Sequence, residues 1–266
     1  MDKFFIRFRL QRSKCTFNDE QLDCLDMIGG SREEIAEFLS ECEVHRNKCA
    51  EKLRKKFRGK LNPLHGKRVL FCGDSITSDR LGYREAVTEA AKLNACNVSF
   101  SGAVSSDLLL GIKGDIEKSA PELISIMIGA NDSLCINREE KINICSPDEY
   151  RRNLRSILNF AAESGAAIAV MQISMLDERV FNNSAMAKYR TNTHENISIY
   201  NQIIDEEAAR IGAALVRTPD IIFAHKDINL YEPDGIHLSP EAHVPIAEAW
   251  LKTVINLLEV IKNENN

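Results

Sequence analysis

Nucleophilic attack on a carbonyl needs a hydroxyl or thiol, a base to take its proton and a group to orient that base. Ser75 is the first candidate, because it follows an apolar run, Arg68-Val69-Leu70-Phe71-Cys72, that breaks at Gly73. A serine hydroxyl is a poor nucleophile at neutral pH without a base in hydrogen-bond reach. Of the six histidines, His237 is best suited, since Asp234 precedes it by three residues in Asp234-Gly235-Ile236-His237-Leu238-Ser239. That carboxylate can hold one ring nitrogen and leave the other for the Ser75 proton. A third polar cluster, Gly129-Ala130-Asn131-Asp132, closes a second apolar run at 124–128. Each feature also has a plainer reading. Asp74 and Ser75 could merely cap a helix, and Asp234-x-x-His237 could be a capped turn with an exposed histidine. With Ser75, Asn131 and His237 all present, the chemical reading is preferred.

The elements that would position these groups follow from periodicity. A short apolar run bounded by turn signals reads as a buried parallel strand. Ser75 then sits at the carboxyl end of strand 68–72, where open α/β sheets bind ligands, before a helix whose N–H groups face the same spot. The spacing predicts strands at 97–100, 122–128, 166–173 and 213–216. Helices are predicted near 82–93, after Ser105-Ser106-Asp107, after Ser146-Pro147-Asp148-Glu149, over 194–210 and from Pro240 to about 261. Alternating strands and helices joined by right-handed crossovers give a three-layer α/β/α sandwich with a mostly parallel five-stranded sheet. Among the other histidines, His243 reads as packing or support, His194 as part of a helix start, and His45 and His225 show no partner pattern. Ser105 and Ser106 read as a helix cap.

Composition narrows the class. The 266 residues are 44% hydrophobic and 27% charged, with a formal net charge of −5, which offers no general attraction to nucleic acid or anionic lipid. No run approaches the ~18 apolar residues of a membrane span, and charges interrupt the first apolar residues where a signal core would lie. An intracellular, cytoplasmic protein is therefore expected, without integral membrane association. The eight cysteines lack Cys-x-x-Cys spacing and read as reduced structural thiols.

Residues 1–66 read as a mainly helical N-terminal extension, and 67–266 as the catalytic domain. Residues 3–10 alternate Phe4, Ile6, Phe8 and Leu10 against Phe5, Arg7 and Arg9, which predicts a strand with one buried face. Asn18-Asp19-Glu20-Gln21 resembles a helix start and Gly29-Gly30 a stop. Ser31-Arg32-Glu33-Glu34 forms a capping box ahead of the stripe Ile35, Phe38, Leu39, Cys42, Cys49, Leu53 and Phe57. The basic run 52–58 reads as a solvated helix end favoured by the dipole rather than a nucleic-acid patch. Such a stripe must be covered, either by the catalytic domain or by a partner such as a second copy in a homo-oligomer. The extension holds none of the proposed catalytic residues. Its expected role is docking, substrate restriction or oligomerisation.

Gly73-Asp74-Ser75, Gly129-Ala130-Asn131-Asp132 and Asp234-x-x-His237, in that order, resemble the SGNH (GDSL-type) hydrolase superfamily from about Arg68 onward. The resemblance implies a flavodoxin-like fold and an acyl-enzyme on Ser75. It also implies an oxyanion hole from the backbone N–H groups of Ser75 and Gly102 and the side-chain amide of Asn131. Gly73 and Asp74 would shape the turn, and Asp132 would bond the loop that aims Asn131. No metal or organic cofactor is implied. The substrate would be a small-molecule ester presented to loops 132–146 and 174–193. The first holds Asn137, Arg138, Glu139, Glu140 and Lys141; the second mixes Met175, Leu176, Val180, Phe181 and Met186 with polar residues. Neither offers a long apolar groove, which favours a short acyl group on a polar alcohol such as an acetylated sugar. Lysophospholipase, thioesterase and non-catalytic binding-module readings stay open.

Overall fold

Side chains alternate faces along a strand, and strand β1 (Arg68–Gly73) uses this to feed two cores. Val69 and Phe71 join one buried cluster, while Leu70 and Cys72 join the other. The computed structural model describes residues 3–8, 31–137, 139–140, 142–225 and 227–264. In it β1 pairs in parallel with β2 (Asn94–Asn97) and β3 (Leu123–Met127), and β6 (Ala167–Met171) and β7 (Ala214–Val216) extend the sheet in the order β2-β1-β3-β6-β7. Both faces are covered, which is why the central strands are apolar throughout.

One face carries α4 (Tyr83–Ala91) and α10 (His243–Glu264), and the other α5 (Ser105–Ser119), α6 (Pro147–Glu163) and α8 (His194–Arg210). Trp250 of α10 is fully buried, and its indole N–H donates to the Ser125 hydroxyl at 2.9 Å. Between β3 and α6 the short strands β4 (Cys135–Asn137) and β5 (Ile142–Asn143) pair antiparallel. The shorter helices are the single turns α3 (Ser75–Ser78) and α7 (Glu178–Phe181) and the two-turn α9 (Thr218–Ala224). No described helix is long and apolar enough to cross a membrane.

Helix α2 (Arg32–Lys56) begins at the expected capping box, with Ser31 Oγ accepting from Glu34 N and Glu34 from Ser31 N. Its stripe is covered by the chain itself: Cys49, Ala50 and Leu53 belong to the same cluster as Val87 and Trp250. Two cations of the basic run pair with neighbouring elements, Arg54 with Glu89 of α4 and Lys56 with Glu248 of α10.

Three local expectations are corrected. Residues Lys3–Arg7 form a helical turn, α1, rather than a strand. The carbonyls of Ile6, Arg7 and Phe8 are taken by Arg80 and Ser78 instead of a neighbouring strand, while Ile6 and Phe8 are still buried. The second strand is Asn94–Asn97 instead of 97–100, because an edge strand needs ladder partners more than apolar side chains. Ser105 does not cap α5: Asp107 accepts from the Val104 N–H, and the Ser105 side chain serves the site below. The helix expected from Asn18 to Gly29-Gly30, with Arg9, Leu10, Arg138 and Lys141, lies outside the described residues.

Candidate active site

Gly73 ends β1 directly beneath Met127 of β3, and a Cβ there would lie 2.4 Å from the Met127 carbonyl oxygen. Only glycine lets β1 turn so close to its neighbour. Asp74 then caps the single turn α3, accepting from Ile76 N at 3.0 Å, and Ser75 opens that turn. Ser75 is largely covered, at 8% exposed.

His237 reaches it from a turn 162 residues later, with Nε2 2.9 Å from Ser75 Oγ. The other ring nitrogen, Nδ1, lies 2.6 Å from Asp234 Oδ2. Asp234 Oδ1 meanwhile accepts the backbone N–H groups of Ile236 and His237, each at 3.0 Å. Burial would raise the Asp234 carboxyl, but these bonds and the imidazole hold it below its ordinary value. A carboxylate that stays ionised fixes the tautomer: Nδ1 carries the proton, and Nε2 is free to accept from Ser75.

Asn131 and Gly102 lie on two further loops, which meet each other at Ala103. Asn131 Nδ2 donates to Ala103 O at 2.9 Å, which ties the loop after β3 to the turn before α5. Gly102 adopts a left-handed φ of 79°, with open space where a Cβ would stand. Asp132 does secure this loop, accepting from the backbone N–H of Ser105 at 3.0 Å and from its hydroxyl. Burial pushes the Asp74 carboxyl up to about 7, against the opposing pull of the Ile76 N–H, His237 and the Ala130 N–H.

The two loops expected to face substrate are joined to each other. Cys135 of β4 bridges Thr191, joining 132–146 to 174–193. The second loop also touches the base turn, where Asp177 N donates to Gly235 O at 2.8 Å. His194 opens α8, and His225 contacts Ile221 O within its own helix. Neither joins the site.

The family model of the GDSL-like lipase/acylhydrolase family matches residues 71–244. The chain belongs to this family. No curated protein matches this GDSL-like chain. Its fold is similar to that of an acetyl-xylooligosaccharide esterase, Axe2, of Geobacillus stearothermophilus, with TM-score 0.57 and 22% identity over 71% of this chain and 94% of that one. TesA gives TM-score 0.54 and 22% identity, covering 71% and 98%. LAE5, an alpha/beta hydrolase enzyme from the metagenome of Lake Arreo, gives TM-score 0.57 and 21% identity, covering 73% and 97%. The family match starts at Phe71, and so leaves residues 1–70 unmatched.

Sequence reasoning missed several residues that hold the site together. Asp79, at the end of the α3 turn, is fully buried. His243 Nε2 stands 3.2 Å from its carboxylate, while His243 Nδ1 accepts from Tyr83 N. Arg7 chelates the same carboxylate with two N–H groups, at 2.8 and 2.9 Å. Glu232 and Phe8 complete this group. His243 is the exception, expected as packing or support; no local motif marks the others, since their partners lie far away in the chain.

Proposed function

We propose that this GDSL-like hydrolase is a serine esterase that cleaves carboxylic esters through an acyl-enzyme on Ser75. The carrying observation is the hydrogen-bonded chain Asp234–His237–Ser75, with 2.6 and 2.9 Å contacts. In the first half-reaction Ser75 Oγ attacks the ester carbonyl carbon as its proton passes to His237 Nε2. The tetrahedral oxyanion is met by the Ser75 and Gly102 backbone N–H groups and by the Asn131 amide. Asn131 has two N–H donors and spends one on Ala103 O, leaving the second for the oxyanion. Collapse breaks the bond to the alcohol, whose oxygen takes the proton from His237. Water then attacks the acyl carbon, gives its proton to His237, and the acid leaves as Ser75 regains that proton. Asp234 offsets the imidazolium formed in each half.

A short acyl group on a polar alcohol, such as an acetylated sugar, is the favoured substrate. Support comes from the polar, charged residues of loop 132–146, including Glu139 and Glu140. In loop 174–193 the apolar side chains Met175, Leu176 and Phe181 are buried rather than lining a groove. The fold likeness to an acetyl-xylooligosaccharide esterase agrees with this choice. The test is hydrolysis of p-nitrophenyl esters of increasing chain length, with acetate expected to be fastest. A maximum at long acyl chains would favour a lysophospholipid-type substrate. No hydrolysis of any ester, with Ser75 inert to a fluorophosphonate, would reduce the chain to a binding module.

A further inference from the structure

Residues 3–8 precede the family match by more than sixty positions, yet they lie against its reacting groups. The Phe8 ring centre is 4.2 Å from that of His237, with the planes 35° apart. Arg7 makes four hydrogen bonds across two loops: Nε and Nη2 to the Asp79 carboxylate, Nη1 to Glu232 Oε1 at 2.5 Å, and Nη2 to Leu238 O at 3.1 Å. Asp79 ends the turn that begins at Ser75. Glu232 and Leu238 bracket the turn that carries Asp234 and His237. The residues on either side of Asp79 hold the peptide backbone as well. Arg80 N donates to Arg7 O, Arg80 Nε to Ile6 O, and Ser78 Oγ to Phe8 O.

Resting on the esterase reading, we propose that this N-terminal arm completes the active site. Arg7 is a positioning residue that fixes the Ser75–His237 separation by bracing the nucleophile turn against the base turn. Phe8 walls the imidazole on one side and restricts the acyl group beside it.

The chemistry suits the residue types. A guanidinium is a rigid planar fork that can satisfy a bidentate carboxylate and two further acceptors at once, whereas an ammonium is a point charge. The Arg7 side chain is 11% exposed and Asp79 fully buried, so water competes little for these bonds. An aromatic ring held on imidazole keeps water away from it and attracts the cation that forms when Ser75 attacks. Base and nucleophile must meet within a few tenths of an ångström, and small misplacements cost large factors in rate. A brace between their two turns acts on that distance alone.

The test uses full-length Arg7→Lys, Glu232→Gln and Phe8→Ala with four readouts: melting temperature, the rate of Ser75 labelling by a fluorophosphonate, kcat and KM on p-nitrophenyl esters, and the low-field proton resonance between His237 and Asp234. Arg7→Lys keeps the charge beside Asp79 but not the fork, so a purely structural role predicts a lowered melting temperature with native labelling, kcat and resonance. Positioning predicts near-native melting with labelling and kcat reduced about 10-fold or more, KM changed less than about 2-fold, and a broadened resonance. Phe8→Ala should raise the rate on hexanoate relative to acetate by about 10-fold. Should Arg7→Lys fail to fold, Glu232→Gln removes one arm at a partly exposed carboxylate and should slow labelling about 3-fold. Wild-type labelling in both Arg7→Lys and Glu232→Gln overturns the brace, and an unchanged chain-length profile in Phe8→Ala overturns the wall. If the native protein is labelled at Ser75 but turns over no ester, the esterase reading alone falls and labelling rates judge the brace. If Ser75 is not labelled at all, the resonance judges it, and an unchanged signal in Arg7→Lys overturns it.

Discussion

The Asp132 carboxylate accepts both the backbone N–H and the hydroxyl of Ser105. One buried carboxylate thus locks the loop that bears Asn131 onto the first residue of α5, two residues from Ala103, whose carbonyl holds the Asn131 amide. Removing Asn131 should lower kcat by about 10²–10³, as expected for loss of one oxyanion donor. Ser105→Ala should act indirectly. It strands Asn153 Nδ2, which donates to Ser105 Oγ at 3.0 Å, and should cost about 1–3 kcal/mol in stability with a much smaller loss of kcat. Urea unfolding beside steady-state kinetics separates the two; equal kcat losses would contradict the assignment.

His237 and His243 should divide cleanly between chemistry and stability. His237→Gln should abolish hydrolysis with little change in melting temperature. His243→Ala should keep measurable turnover but lose about 3 kcal/mol, because it removes one partner of a buried charge. An inactive His243→Ala beside an active His237→Gln would reverse the roles.

Asp79 should make the fold acid-sensitive. Burial alone would raise its carboxyl, but the His243 ring beside it and the hydrogen-bonded Arg7 guanidinium hold it well below the usual carboxylate range. A carboxyl lower in the folded state contributes stability above its unfolded value of about 3.9, lost as pH falls below that. Asp79→Asn should therefore be less stable than the native protein at pH 7, by a margin that narrows toward pH 3. A margin that does not change over that range counts against this account.

Asp74 should show the opposite sign. Burial raises its carboxyl to about 7, so between its unfolded value and that point the folded state binds a proton the unfolded chain lacks. Stability from this group is greatest below about pH 4 and declines toward pH 7. Asp74→Asn, whose side-chain oxygen can still cap α3, should gain on the native protein by up to a few kcal/mol between pH 4 and pH 8. Urea titrations at the two ends measure this directly.

Ser125→Ala should cost about 1–3 kcal/mol, because it leaves the buried Trp250 N–H without its acceptor. Activity at 25 °C should be unchanged, since the pair joins the middle of β3 to α10 and touches none of the proposed catalytic residues. Tryptophan fluorescence during unfolding reports on the same residue.

The sheet was legible because its central strands are short apolar runs with turn signals at their ends. The expected 68–72 and 122–128 correspond to Arg68–Gly73 and Leu123–Met127. Helix α8 was delimited to the residue, since Thr193 caps it through the Asn196 N–H. The edge strand Asn94–Asn97 was misplaced because its residues are polar and half-exposed, and only its ladder to β1 identifies it. Ser75, Asp234 and His237, which the fold brings within hydrogen-bond reach, were legible as local motifs, whereas Gly102 came only with the family resemblance. Arg7, Phe8, Asp79 and Glu232 were not legible, because each is defined by a partner on another element. The alternation of residues 3–10 did identify Ile6 and Phe8 as buried, but a period of two could not distinguish a docked turn from a strand.

The 162 residues between Ser75 and His237 also bear on synthesis. A chain emerging from the ribosome exposes its nucleophile early, while the base arrives after β7, the last strand of the sheet. Trp250 of α10, which packs against Phe71 of the strand that leads to that nucleophile, follows later still. Domains fold vectorially as they emerge, so nascent chains that end before His237 hold Ser75 without its base. Covalent capture of Ser75 on stalled translation intermediates would therefore mark the moment at which the C-terminal segment docks.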